Sequence, residues 1–262
     1  MSWEAVDAGW GRRAPAWAYL LEKQYWGAYA EIVDRLELGP GTRYLDIACG
    51  SGLAGYIASR RGAEVSGLDA AARLLEIARV RTPTADWRTG DMYSLPWADG
   101  SFDAVTSFNG IWGPDQAALA EAVRVTRPGG LLALTFWGDL RKMPGFPLFV
   151  PLAICAPPEA VAEQGAEVAI GRPGVAEAMY EAAGLEVVER GRLEITWEFP
   201  DVDTAAAALA ASGPAYAGIV HSGEESVTAA FREAAEQLIV PGAGVRAELN
   251  WGFLVGRRSV ET

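Results

Sequence analysis

The sequence predicts an α/β domain built on a mostly parallel sheet of seven strands, and three observations lead there. Short apolar runs alternate with amphipathic helical stretches between residues 43 and 137. Strands alternating with helices of that length imply parallel pairing through right-handed crossovers. The run "LLALTF" (131–136) is apolar almost throughout, as a strand covered on both faces is. Glycines punctuate the joins, as in "CGSG" (49–52) and "RPGG" (127–130).

Residues 17–38 read as one helix, because Leu21, Tyr25, Tyr29, Ile32, Val33 and Leu36 recur at spacings of three and four. Gly39-Pro40-Gly41 ends it in a turn. "RYLDIA" (43–48) is a strand, and "SGLAGYIASRR" (51–61) a helix ended by Gly62. "AEVSGLD" (63–69) is the next strand, followed by the helix "AAARLLEIARVR" (70–81), which Thr82-Pro83 stops. "ADWRTGD" (85–91) is a short strand, and "FDAVTSFN" (102–109) a strand entered through the Asp99-Gly100 turn. "PDQAALAEAVRVT" (114–126) is a helix with Pro114 in its first turn, then come the "RPGG" turn and the strand "LLALTFW" (131–137). Residues 139–172 are rich in Pro, Gly and Ala and long for a plain connection, which suits a lid. A helix follows at 174–184, then a strand at 185–199 in which Gly191 is expected as a bulge or turn. Residues 201–240 suggest two helices split near Ser222-Gly223. "VRAELNWGFLVGRR" (245–258) closes the chain as a strand returning antiparallel at the sheet edge. The expected organisation is one domain over 1–262, with an N-terminal helical segment (1–38) and cap insertions at 139–172 and 201–240.

Lys plus Arg total 22 and Asp plus Glu 34, for a net charge of -12. A chain this acidic repels nucleic acid and anionic membrane, whose binding relies on neutralising phosphates. Cys49 and Cys155 lie far apart, so a disulfide framework is not expected. The first residues lack a cationic start followed by an apolar run, so no signal peptide is expected. The longest apolar stretch, Phe146 to Pro158, is too short and proline-rich to span a bilayer. The expectation is a soluble cytoplasmic protein acting on a small molecule, with no resident metal.

The chemistry begins at "YLDIACGSGLAG" (44–55). Gly50-x-Gly52-x-x-Gly55 matches a dinucleotide fingerprint, but Gly55 falls inside the helix, where it serves packing. Where a strand meets a helix through glycines, backbone N–H groups and the helix dipole favour an anionic group. Asp46 changes that reading. A carboxylate about 4 Å from a phosphate charge is repelled by roughly 4 kcal/mol at a surface-like dielectric. Beside a sulfonium or ammonium the sign reverses. S-adenosyl-L-methionine (SAM) carries both, along with a carboxylate for the helix N-terminus.

Three further strand ends add to this. Asp69, some 20 residues after the glycines, can accept from both ribose hydroxyls, as in NAD sites; it can also cap the following helix. Asp91 can accept from an adenine amino group while the Met92 N–H donates to a ring nitrogen. Asn109 lies at the crevice floor. Asp91 and Asn109 are also ordinary turn residues.

With "LDIACGSG" (45–52), "VSGLD" (65–69), "GDMYSLPWADGSFDAVTSFNGIW" (90–112) and "RPGGLLALTFWG" (127–138) in this order, the chain resembles the class I SAM-dependent methyltransferases. Within them it resembles the small-molecule branch that includes the ubiquinone and menaquinone biosynthesis methyltransferases. The resemblance implies a Rossmann-like fold, SAM as cofactor and S-adenosyl-L-homocysteine as product. It implies that Asp46, Ala48 and Gly50 border the methionine part while Gly52 shapes the turn. Asp69 and Ala70 would meet the ribose, Asp91 and Met92 the adenine, Leu74 the adenine face, and Asn109 the methionine part through its backbone. Ala48 stands where many members have glycine, and its methyl group is tolerable if the local φ is negative. Trp17 or Tyr25 is expected to close over the cofactor or else to fill core.

Methyl transfer needs proximity, alignment and exclusion of water. A poorly acidic acceptor also needs a base. His221, the sole histidine, is the candidate catalytic residue, although a helix C-terminus there would favour its protonated form. Tyr93, Tyr216, Glu224 and Glu225 are weaker options. "SFNGIW" is not the Asn-Pro-Pro-aromatic tetrad of enzymes that methylate planar amino groups. Ten tryptophans and "GFPLFVPLAI" suit an apolar or aromatic acceptor under a cap. The expected activity is methyl transfer from SAM to such a molecule. The alternatives are a SAM-binding protein that catalyses a non-methylating reaction such as a cyclisation, and an NAD-dependent oxidoreductase.

Overall fold

The computed structural model describes residues 3–111 and 115–260. Its sheet has the order β3-β2-β1-β4-β5-β8-β6, with a two-residue strand β7 also paired to β8. The strands are β1 (Arg43–Ile47), β2 (Glu64–Asp69), β3 (Asp86–Thr89), β4 (Phe102–Phe108), β5 (Thr126–Trp137), β6 (Leu185–Phe199), β7 (Ile239–Val240) and β8 (Gly244–Arg258). β3 through β5 are mutually parallel. β8 is antiparallel to both neighbours, as its late return in the chain implied; it sits one strand in, and β6 forms the outer edge.

Period-two alternation gives the sheet two apolar faces. On one, Tyr44, Ala104, Ala133 and Trp251 pack under the helices Trp26–Arg35 and Leu53–Arg60 and under the late helices. On the other, Leu45, Ile47, Val105, Leu132, Leu134 and Leu254 meet the helices Gln116–Val125 and Val175–Ala182. Asp115 caps the helix Gln116–Val125, accepting from the N–H groups of Ala117 and Ala118. The expectation for Pro114 lies outside the described residues, as does Trp112 of "SFNGIW".

Several elements differ from the sequence reading. The single helix expected over 17–38 is a π-helical turn (Trp17–Leu21), a 3-10 turn (Glu22–Tyr25) and an α-helix (Trp26–Arg35), preceded by an unanticipated helix Trp3–Trp10. Residues 127–130 swing out within β5 rather than before it: Phe102 pairs with Thr126 and Ala104 already with Leu131. Gly191 is neither bulge nor turn. The bulge in β6 lies between Val187 and Glu189, whereas a Cβ on Gly191 would be 2.4 Å from the Phe253 ring, so glycine makes room for that ring. Residues 201–240 hold three helices, Val202–Ala210, Ala215–Ser222 and Glu224–Glu236; the break at Gly223 is as expected, and a second occurs at 211–214.

The segment 139–172 forms short turns and two helices, Val150–Ile154 and Pro158–Glu167. The π-helical turn at 17–21 touches the helix Val202–Ala210, and the helix Glu224–Glu236 touches residues 146–154. Arg12 pairs with Glu224 and donates to the Ala210 carbonyl (2.6 Å). The N-terminal segment and both insertions therefore touch one another. Among the described residues, no helix is long and apolar enough to cross a membrane, and no His/Cys/Asp/Glu group could hold a metal.

Candidate functional site

The site is built at the carboxyl ends of β1, β2 and β4. Asp46 alternates with Leu45 and Ile47, so it shares the face of Tyr44 and lies beneath the N-terminal segment rather than open to a crevice. It is 2% exposed. Thr106 Oγ1 of β4 donates to Asp46 Oδ1 (2.7 Å) and is itself hydrogen-bonded to the Tyr44 hydroxyl (2.6 Å). Burial pushes the Asp46 carboxyl up to about 8; the Thr106 hydrogen bond opposes this, while the charges of Glu22 and Asp69 add to it.

Ala48 and Gly50 carry positive φ angles of 56° each, and Gly52 one of 75°. The condition under which Ala48 would be an innocuous replacement for glycine is thus not met. The residue sits in the left-handed region, at a cost of about 1–2 kcal/mol for an L-residue with a Cβ. Gly52 is closely walled: a Cβ there would lie 2.7 Å from that of Ala78. Gly55, inside the helix, makes room for the Trp87 ring, 2.6 Å from where its Cβ would be.

Asp69 is held by both oxygens. The Gly50 N–H donates to Oδ2 and the Ala71 N–H to Oδ1, each at 2.7 Å. The residue preceding the helix Ala72–Arg81 is Ala71, so Asp69 supports that start from two residues away rather than as its N-cap. Burial raises its pKa to about 6 against those two hydrogen bonds. Each oxygen keeps acceptor capacity for a ribose hydroxyl. Ala70 beside it is half-buried.

The loop after β3 is tied to β2 through the Gly90 N–H to the Asp69 carbonyl (3.1 Å). Asp91 is half-buried and accepts from the Tyr93 N–H (2.9 Å), and Met92 packs against the second apolar face. Asn109, at φ 51°, donates from its backbone and its amide to Thr135 Oγ1 (3.1 Å each). Leu74 is 2% exposed, in a cluster with Ala14 and Ala71 against which Trp10 and Trp17 pack. The N-terminal rings therefore cover the surface expected to meet adenine. Tyr25 is core: it stacks on Trp251 with ring centroids 4.5 Å apart.

His221 is exposed in the last turn of the helix Ala215–Ser222. Tyr93 donates to Asp115 Oδ2 (2.5 Å), and that bond is the main reason its pKa is pushed up to about 12, which works against a phenolate base.

Sequence reading missed Glu22, which is 2% exposed. It accepts from the Ser51 N–H (3.2 Å), the Ser51 hydroxyl and the Arg81 guanidinium. Burial raises its pKa, with Arg81 opposing. A signal existed: Glu22 stands three before Tyr25 and seven before Tyr29, an acid on the apolar face of a predicted helix. Arg81, which also donates to the Ser51 and Ala18 carbonyls (3.1 Å each), sits near the end of its own helix and carried no such signal.

The residues fit SAM on three counts. Asp46 and Asp69 are buried acids with no cationic side chain paired to them among the described residues. The Trp17 indole N–H is buried without an acceptor beside Gly50. Gly50 carries no side chain, and Glu22 Oε1 and Trp17 Nε1 face its α-carbon.

Residues 45–134 match the protein family described as "Methyltransferase domain". The chain is 40% identical over 105 residues to the demethylmenaquinone methyltransferase of Renibacterium salmoninarum, covering 39% of this chain and 44% of that one. It thus spans less than half the length of that relative. Among solved structures, it superposes with TM-score 0.51 and 16% identity on geranyl diphosphate C-methyltransferase from Streptomyces coelicolor A3(2), solved with Mg2+, geranyl diphosphate and S-adenosyl-L-homocysteine (88% of this chain, 78% of that). It superposes with TM-score 0.54 and 20% identity on the [4+2]-cyclase SpnF (88% and 82%). The order of strands, the glycine loop after β1 and the strand-end acids agree with the family match: residues 45–134 are similar to a methyltransferase domain, and the chain shares the fold of these solved structures.

Proposed function

We propose that the protein binds SAM over the carboxyl ends of β1–β4 and transfers its methyl group to a small apolar or aromatic molecule enclosed by the N-terminal segment and the two insertions. The observation that carries this reading is electrostatic. Burial raises the pKa of Asp46 and of Asp69, Glu22 adds to both and Asp69 adds to that of Asp46, and among the described residues only Glu22 of the three has a cationic side chain beside it. A cationic ligand supplies the missing charge, and phosphate would worsen the repulsion.

Bound SAM supplies an electrophilic methyl on a positively charged sulfur. For the chain's own part, Asp46 favours that positive end, Asp69 orients the ribose, and Asp91 with the Met92 N–H reads the adenine. The acceptor side is supported by the partly buried rings Phe108, Trp137 and Phe149, which pack on the core rings Tyr29, Trp197 and Trp251. Such walls exclude water and suit a flat or greasy acceptor. Because Tyr93 is held as a phenol and His221 is exposed, the reading assigns no side-chain base. The acceptor then arrives with an acidic or already nucleophilic atom.

Calorimetric titration with SAM, followed by methyl-labelled SAM offered with a panel of aromatic and isoprenoid acceptors, tests this. Binding and labelled product support it. Binding without product from any acceptor favours a non-methylating reaction on the same site. Binding of NADH without SAM overturns it.

A further inference from the structure

Trp17 and Glu22 lie five residues apart, which in a regular α-helix puts side chains about 140° apart around the axis. Here they face the same glycine. The Trp17–Leu21 stretch is a π-helical turn, closed by the Glu22 N–H donating to the Trp17 carbonyl. Its i→i+5 spacing stacks residue 22 over residue 17, and such turns cluster at functional sites. A Cβ built on Gly50 would stand 3.1 Å from Glu22 Oε1 and 3.7 Å from Trp17 Nε1.

These two groups are chemically incomplete in opposite senses. The Trp17 N–H is buried and has no acceptor, which destabilises the protein unless a ligand supplies one. Glu22 Oε2 is engaged by the Ser51 hydroxyl and Arg81, but Oε1 receives only the long 3.2 Å bond from the Ser51 N–H. A carboxylate oxygen accepts two, so Oε1 has one acceptor position left beside Gly50. An open donor and an open anionic acceptor facing the same glycine match the two charged ends of an amino-acid zwitterion.

We propose that Glu22 and Trp17 form an amino-acid recognition pair, Glu22 Oε1 taking the α-ammonium and the Trp17 indole N–H the α-carboxylate of the methionine portion of SAM. This rests on the SAM reading above and deepens it. Arg81 and Ser51 then serve as the brace that holds Glu22 in place. The pair lets the N-terminal segment select ligands bearing a complete amino-acid end, independently of the acids that meet the ribose and adenine.

The test is calorimetric titration of the full chain and of the Trp17→Phe and Glu22→Gln variants, each checked for a wild-type-like thermal melt, with three ligands. SAM has both groups, decarboxylated SAM lacks the carboxylate, and 5'-methylthioadenosine lacks the amino-acid end. A hydrogen bond to a charged group is worth about 1.5–3 kcal/mol, so its loss weakens binding by about tenfold or more. Trp17→Phe should weaken SAM by that factor and leave decarboxylated SAM unchanged. Glu22→Gln should weaken SAM and decarboxylated SAM and leave methylthioadenosine unchanged. Equal losses for all three ligands, or no loss for SAM, would overturn the pair while leaving SAM binding intact. Failure of the wild-type chain to bind SAM would overturn both the pair and the reading beneath it.

Discussion

The methyl group of Ala48 stands where a side chain at residue 110 would have to be: a Cβ built on Gly110 would lie 2.4 Å from that of Ala48. The two loops that follow β1 and β4 meet at this point, and one methyl group fits between them. Ala48 also carries the left-handed φ of 56°. Gly110→Ala should therefore destabilise by about 1–3 kcal/mol through overpacking. Ala48→Gly removes the left-handed strain and gives the unfolded chain more entropy to lose, so its own effect should be within about 1 kcal/mol. Introduced together, the two should recover part of the Gly110→Ala loss, because Ser107 Oγ, 2.7 Å from the built Cβ, still crowds residue 110. Urea unfolding of the four proteins in the cycle measures the coupling; strict additivity would contradict the contact.

On the proposed reading, Asp46 should make SAM affinity depend on pH. Its folded pKa of about 8 lies above the ordinary value of 3.8. Its contribution to the stability of the free protein is thus complete below about pH 4 and lost as pH rises through 8. A cationic ligand favours the ionised form, so SAM should bind more tightly as pH rises from 6 to 8 and level off above, with a proton released on binding at pH 7. Titrations in buffers of different ionisation enthalpy count that proton. Asp46→Asn should flatten the profile, and an unchanged profile would remove Asp46 from the site.

Asp69 and Asp91 should separate in stability although both weaken SAM. Asp69→Ala leaves the N–H groups of Gly50 and Ala71 without their acceptor, at about 1–3 kcal/mol for each group that stays dry. Asp91 is half-buried with one bond to the Tyr93 N–H, so Asp91→Ala should cost under about 1 kcal/mol. Thermal melts and SAM titrations on the two variants check this. Unchanged affinity in both would sink the cofactor assignment.

Arg81 should matter more than a surface arginine does. It is 15% exposed and pairs with Glu22, which is 2% exposed. Arg81→Ala leaves a buried carboxylate without its cation, a change that typically costs about 3–5 kcal/mol. Because Arg81 also holds the Ala18 carbonyl, amide exchange over residues 17–25 should accelerate more than exchange in β1 or β4. Uniform acceleration would mean that the bond does not hold the N-terminal segment specifically.

The candidate site was legible where its signals were local. Asp46 and Asp69 lie at strand ends, the strands are apolar runs, and the glycines mark the joins, so their meeting at one edge follows from parallel pairing. Asp91 and Asn109 follow by the same logic. Glu22 was obscured because an acid among apolar residues reads as an exception within a helix, and its partner Arg81 lies 59 residues away. His221 drew notice as the sole histidine, a matter of composition, whereas exposure is decided by packing.

The sequence by itself determined the alternation of strands and helices, the antiparallel return of the last strand and the cluster of strand-end acids, because these arise from periodicity, turn chemistry and pairing rules over short spans. Only the tertiary structure decided that β8 lies inside β6, that Gly191 yields to Phe253, that Ala48 adopts a left-handed backbone and that a π-turn aims Trp17 and Glu22 at Gly50. Each of those depends on which distant side chain occupies the neighbouring volume, and no local pattern carries that information.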